Sequence, residues 1–148
     1  MKSPTLSALA LALALALSGC TAESQAEAQE DVAEARSEAK AEVREAQADA
    51  RETINDANDD LNDASADGRD NFNDANAEAT EDTADARHEV AMTRAEGEFK
   101  VAKEVCDGMP ANDRDACGAR AEADYEMAKA TAHAERDAAQ ADAERMKR

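Results

Sequence analysis

The sequence predicts an all-α protein, extended rather than globular, in which a long alanine-rich acidic helix is followed by a disulfide-locked antiparallel helical hairpin. Large apolar side chains are scarce, since the 148 residues include two Phe, one Tyr and no Trp. This inventory is too small to offset the ordering entropy of a compact globule of this length. The strongest helix formers, Ala, Glu, Lys, Arg and Gln, dominate the composition. A sheet enzyme is therefore excluded.

Residues 1–19 are predicted to form an export signal. Lys2 gives it a positive start, and the Leu/Ala run from Ala8 to Leu17 is too short to span a bilayer as a stable helix. The following stretch Leu17-Ser18-Gly19-Cys20 resembles the bacterial lipobox, in which a signal peptidase cuts before a cysteine that carries lipid. An ordinary secretory signal with a chance cysteine is the alternative.

The lipobox resemblance implies that the mature lipoprotein begins at Cys20, with residues 20–22 as the start of the lipid anchor. Several acyl chains, such as palmitate, give stable anchoring without a membrane-spanning helix. Thr21 stands where an aspartate holds lipoproteins of enteric-type bacteria at the inner membrane. We therefore expect the protein at the outer membrane, facing the periplasm, with display on the cell surface as an alternative.

Charge is distributed unevenly along the mature chain. No acidic residue precedes Cys20, and Lys2 is the only basic one there, so the mature chain is slightly more acidic than the formal −18 of the whole sequence. Most of the excess acid lies in the first half. The sequence therefore predicts an acidic helical arm over residues 23–83 and a nearly balanced helical hairpin over residues 84–148, and the acidic arm disfavours nucleic acid as a partner.

Larger residues recur along the arm at intervals of eleven and seven, which keep one face of a helix in line. The members of this stripe are Val32, Val43, Ile54, Leu61, Phe72, Thr83 and Val90. Alanines fill in the same face, so the stripe is narrow. It predicts either packing on a partner helix, including self-association into a homo-oligomer, or a long solvated helix.

The arm changes character in its Asp/Asn-rich segment, residues 56–74. Asn and Asp favour turns over helix interiors, and Gly68 lies within the segment, so we expect a first helix to about residue 66 and a flexible joint near residues 63–74. The segment also matches most of the EF-hand rule of oxygen ligands at alternate positions. The candidate metal ligands are Asp63, Ser65, Asp67, Asn71 and Asp74. Calcium binding there is one prediction, and diffuse condensation of divalent ions is its alternative.

The second half contains signals for a hairpin with its turn at residues 107–112. Asp107-Gly108-Met109-Pro110 is a helix stop, and Asn112-Asp113 can cap a helix that resumes at Arg114. An antiparallel pair folded here places Cys106 opposite Cys117. Because export permits disulfides, the sequence predicts a Cys106–Cys117 bond, with a reactive thiol pair or a metal site as alternatives.

The same register predicts the contacts between the two hairpin helices. One face carries His88, Met92, Ala95, Phe99, Ala102 and Cys106, and the return helix presents Cys117, Ala121, Tyr125, Ala128 and Ala132. We expect an aromatic contact between Phe99 and Tyr125. His88 falls near His133, and a two-histidine metal site is an alternative to an incidental pair.

Two resemblances extend beyond the lipobox. The run Phe99 to Asp107, followed by Asn112, Asp115 and Cys117, resembles a segment of small exported proteobacterial proteins without an established activity. The whole plan is similar to that of murein lipoproteins, which implies a peptidoglycan partner. Those proteins end in the lysine that is joined to peptidoglycan, whereas Lys147 is followed here by Arg148.

These observations predict a lipid-anchored envelope lipoprotein that acts as a structural spacer or interaction rod, with the membrane and either peptidoglycan or an envelope protein as its partners and no cofactor beyond the lipid on Cys20. Catalysis is not expected, because two histidines on a narrow hairpin offer no shielded base beside a nucleophile. The alternative function is calcium or divalent-cation binding through residues 56–74.

Overall fold

The computed structural model describes the backbone of residues 10–67 and 69–147 and the side chains of residues 25–65 and 71–147. These residues form three α-helices and no strand: α1 is Ala10–Asp67, α2 is Arg69–Asp107 and α3 is Ala111–Met146. The predicted fold class, an extended all-α chain with a disulfide-locked antiparallel hairpin, is confirmed.

The helix ends follow the local sequence signals. The break between Asp67 and Arg69 falls where the Asp/Asn-rich segment predicts the joint. At the second turn, the Gly108 N–H donates to the Glu104 carbonyl at 3.2 Å and the Met109 N–H donates to the Cys106 carbonyl at 3.0 Å. These bonds close α2 with the tightened geometry common at helix ends.

The start of α3 differs from the sequence prediction. The helix begins at Ala111 and not at Arg114, with Pro110 in the N-cap position at a φ of −56°. The proline ring already holds a φ close to the helical value, and its carbonyl accepts the Asp113 N–H at 2.9 Å. The predicted cap is wrong, since Asn112 directs its side-chain amide to Asp113 Oδ1 at 3.3 Å.

Helix α2 lies between the other two helices. It packs against α1 and against α3, whereas α1 and α3 are not adjacent helices over the described residues. On α2, Cys106 and Phe99 lie two turns apart and face α3. Gly97 faces α1 and lies on roughly the opposite side of α2. The three helices therefore form a flat antiparallel layer, one helix thick.

The packing of α1 along α2 was not anticipated in the sequence analysis. Gly97 lies against Ala39, Lys100 Nζ lies 3.0 Å from Glu42 Oε1, and Gly108 approaches Ala28. The Gly97–Ala39 and Gly108–Ala28 contacts run in opposite directions along the two helices, as an antiparallel pair requires, and the long side chains of Lys100 and Glu42 reach along the helices to meet. The charge boundary between residues 83 and 84 lies inside α2, so it marks a change of charge along one helix.

The core of the layer consists of alanine. The buried apolar residues are Ala46, Ala50, Ala57, Ala77, Ala84, Ala86, Ala95, Cys106, Ala121, Ala132 and Ala143. No large side chain among the described residues is fully buried. The aliphatic members of the stripe on α1, such as Val43 and Ile54, are half-buried beside α2. Intramolecular packing therefore accounts for this face of α1.

Candidate functional site

The disulfide is the covalent link between α2 and α3. Cys106 and Cys117 are bonded, with their Cα atoms 5.5 Å apart and a separation of 11 positions in sequence. Cys106 is buried, with 3% of its surface exposed. The predicted pairing is confirmed, and it joins the last turn of α2 to the second turn of α3.

An aromatic pair fixes the next contact along the hairpin. Phe99 and Tyr125 stack with ring centroids 4.9 Å apart and an angle of 16° between their planes. Lys103 Nζ lies 5.8 Å from the Phe99 ring centroid and Lys129 Nζ lies 4.9 Å from the Tyr125 ring centroid. The contact between Phe99 and Tyr125 confirms the predicted register of α2 against α3.

The two histidines also meet across α2 and α3, as the same register predicts. His88 Nε2 and His133 Nδ1 are 3.0 Å apart, which is hydrogen-bonding distance. Partial burial lowers the pKa of His88, and Arg136 and His133 lower it further, against the opposite effect of Asp85 and Asp137. Among the described residues, no group of three or more His, Cys, Asp or Glu side chains is placed to hold a metal.

The proposed calcium ligands lie on both sides of the first turn. Asp63 and Ser65 lie near the end of α1, and Asn71 and Asp74 lie in the first turns of α2. The Asp67 side chain is outside the described residues. Ser65 Oγ donates to the Asn62 carbonyl at 2.7 Å.

Helical geometry separates the alternate positions of this segment. Residues two apart on a helix are turned by about 200° from each other, so Asp63 and Ser65 leave opposite sides of α1. An EF-hand loop, in contrast, brings such positions around one ion. Calcium binding stays a prediction.

The predicted lipid-bearing residue lies in the first part of α1. Residues 1–9 of the predicted signal are outside the described residues, and α1 includes the backbone of Cys20, whose side chain is not described. Within the part of the chain that the structure describes, no helix combines the length and the apolar character needed to span a bilayer. Lipidation of Cys20 stays a prediction.

The far end of the layer holds Lys147. Its Nζ lies 2.8 Å from Glu81 Oε1, and this hydrogen bond raises the pKa of Lys147. Beside it, Asn76 Nδ2 donates to Met146 Sδ at 3.4 Å. In a layer of three antiparallel helices, the last helix ends at the same side as the turn between the first two. Lys147 therefore lies near the α1–α2 turn, at the end of the layer away from Cys20.

Helix α1 separates its charges in a way that the sequence-based predictions did not include. The four basic residues of its described part are Arg36, Lys40, Arg44 and Arg51, spaced four, four and seven residues apart. This spacing places them on one side of the helix. A projection of residues 25–65 at about 100° per residue would have revealed this side, which the overall acidity of the arm obscures.

The arrangement offers open surfaces between helices. One groove lies where all three helices contribute, including Leu61 of α1, His88 of α2 and Arg136 of α3. A second groove lies between α1 and α2 beside Val43 and Val101. The chain matches no protein-family model, and neither a curated protein nor a solved structure is significantly similar to it.

Proposed function

We propose that this protein is a lipid-anchored envelope lipoprotein, held at the outer membrane through Cys20, that acts in the periplasm as a structural spacer or interaction rod without catalysis. The lipobox resemblance and the preceding leader support the anchor. The placement of the Cys20 backbone and Lys147 at opposite ends of the layer supports the rod.

The described fold is suited to connecting two places. Helix α1 extends away from Cys20 as one element as far as Asp67. At about 1.5 Å per residue, the part from residue 23 to residue 66 is about 65 Å long. Helix α2 packs alongside it and α3 packs on α2, which stiffens the layer, so that Lys147 and the α1–α2 turn form a distal end.

The distal end carries polar groups that a partner could contact. Exposed acidic residues cluster on the last turns of α1, including Asp59, Asp60 and Asp63. Lys147 is held there by Glu81. A partner recognised by this end would be kept about 65 Å from the lipid along the rod.

Photo-crosslinking from the two ends tests this proposal. A photoreactive amino acid is placed at exposed Asp59, near the distal end, and in a matched variant at exposed Asp31, near the anchored end. A rod that connects the membrane to another envelope component gives a product at Asp59 that is missing at Asp31. The same products from both positions, or none from Asp59, would contradict the rod.

A further inference from the structure

The basic residues of α1 form one side of the helix. Arg36, Lys40, Arg44 and Arg51 fall within an arc of about 80°, whereas every Asp and Glu between residues 25 and 65 falls within an arc of about 120° on the other side. All four cations are exposed. The helix is therefore strongly acidic on one side and free of carboxylates on the other.

Helix α2 extends the same surface. Arg94 lines one groove together with Arg36, Lys40 and Arg44, and Arg87 lies seven residues, or about two turns, before Arg94. We call the surface formed by Arg36, Lys40, Arg44, Arg51, Arg87 and Arg94 the cationic face. Glu98 is the acidic residue that lines the groove with them.

The cations of this face are not neutralised by neighbours. None of the six forms a salt bridge with another residue whose side chain is described. On the opposite side of the layer, Lys100 pairs with Glu42 at 3.0 Å. In a chain with a formal net charge of −18, unpaired cations gathered on one face are available to an external anion.

Apolar surface lies between the cations. Val43 and Val101 are half-buried in the groove, beside Ala39, Gly97 and Ala102. The helices approach closely there, because a Cβ built on Gly97 would lie 2.7 Å from Ala39 Cβ. The cationic face therefore presents guanidinium and ammonium groups around a shallow apolar strip.

We propose that the cationic face docks on the surface of an anionic lipid bilayer. A bilayer offers both kinds of group that this face can satisfy, namely phosphates for the cations and the glycerol and acyl boundary for Val43 and Val101. The contact is confined to α1 and the adjoining side of α2, because α3 brings Glu135 to the groove that Arg87 lines and Asp124 to the groove beside Glu98. The acidic side lies across a helix about 10 Å thick, beyond the Debye length of about 8 Å at physiological ionic strength, so its repulsion is screened.

A second copy of the chain suits this face less well. Its acidic side would complement the charges but would place carboxylates over Val43 and Val101, at a desolvation cost. Its own cationic face would oppose cations to cations. Docking goes beyond the proposed function and rests on it only for the anchor: the docked rod lies along the membrane that holds its anchor, with the acidic side directed outward, and the undocked rod extends from that membrane as a spacer.

Vesicle co-sedimentation of the chain from Thr21 to Arg148 tests docking without the lipid anchor, since every tertiary contact described here lies within residues 25–147. The vesicles are phosphatidylglycerol mixed with phosphatidylcholine, or phosphatidylcholine alone. We expect binding to the anionic vesicles alone, abolished by high salt. Each cation at a bilayer surface contributes about fivefold to the binding constant, so Arg36→Glu/Arg44→Glu should weaken binding by at least about 30-fold.

The matched control is Lys100→Glu/Lys103→Glu, which changes the net charge equally on the other side of the layer and should retain most of the binding. Circular dichroism confirms that both variants are folded. Equal weakening by both variants, or no binding to anionic vesicles, would overturn the proposal. Self-association that is lost in Arg36→Glu/Arg44→Glu, without vesicle binding, would assign the face to a second copy instead. Because Cys20 is absent, none of these results bears on lipid anchoring.

Discussion

Gly97 provides a sharp test of the contact between α1 and α2. A Cβ added at this position would lie 2.7 Å from Ala39 Cβ and 3.3 Å from Ala39 Cα. Ala39 has no flexible side chain that could move aside, so the two helices would have to separate locally. Gly97→Ala therefore introduces overpacking where α1 and α2 approach closely.

Two opposing effects determine the magnitude for Gly97→Ala. Overpacking in a tight interface costs about 1–3 kcal/mol, whereas replacing glycine by alanine inside a helix gains about 1 kcal/mol. Gly118, which also lies within a helix, has nothing within 4 Å of a built Cβ. Gly118→Ala should therefore show the gain alone, and the two variants should differ by about 1–3 kcal/mol in the free energy of unfolding.

Urea unfolding followed by circular dichroism measures both variants. Gly97→Ala should unfold at a lower urea concentration than Gly118→Ala, and Ala39→Gly combined with Gly97→Ala should recover part of the loss by moving the methyl group to the other helix. If Gly97→Ala stabilises the protein as much as Gly118→Ala does, α1 does not pack on α2 at this position.

Three further predictions concern the hairpin and the acidic turn. Cys106→Ser/Cys117→Ser should lose about 3 kcal/mol of stability and melt less cooperatively; an unchanged calorimetric melting curve would show that the bond is structurally idle. Partial burial lowers the pKa of His88 from 6.5, so the unfolded chain binds a proton at this residue more readily than the folded chain does. The stability that depends on neutral His88 is therefore present above pH 6.5 and is lost as the pH falls below it. His88→Gln should flatten that dependence in melts between about pH 5 and 7.5, and an unaltered profile would refute it. Calorimetric titration with calcium should give weak heat that added salt removes, and Asp63→Asn/Asp74→Asn should give the same heat as the wild type. A saturable site that is lost in this variant would establish the calcium-binding alternative.

Local chemistry made much of the fold predictable. The Asp/Asn-rich segment predicts where α1 gives way to α2, although its described residues are themselves helical. Gly108 with Pro110 marks the second turn, because these residues interrupt helices by their own backbone preferences. The two remaining cysteines then set the register of α2 against α3. That register in turn brings Phe99 to Tyr125, which the structure confirms.

The contact between α1 and α2 lacked such a signal. Alanine seams specify register poorly, because sliding one helix by a turn replaces one alanine with another. Gly97 lies where a built Cβ would meet Ala39, yet one glycine in a helical pattern does not reveal its partner. The cationic face was missed for a related reason: its members come from two helices, and their convergence depends on how α1 packs.

The start of α3 shows how two local signals compete. Asn112 and Asp113 have the side chains of helix caps, but Pro110 precedes them with its φ already suitable for a helix. The helix therefore begins at Ala111, and these polar residues become part of its first turn. The preference of Asn112 and Asp113 for cap positions therefore did not determine whether α3 starts at Ala111 or at Arg114.

Lipid anchoring at Cys20 is the central claim, and fractionation of cells that express Cys20→Ala tests it most directly. The wild-type protein should remain with the outer membrane through washes with high salt and alkali, because acyl chains and not charge retain it. Cys20→Ala should leave the membrane under the same washes. Retention of Cys20→Ala in the washed membrane to the same extent as the wild type would contradict the account.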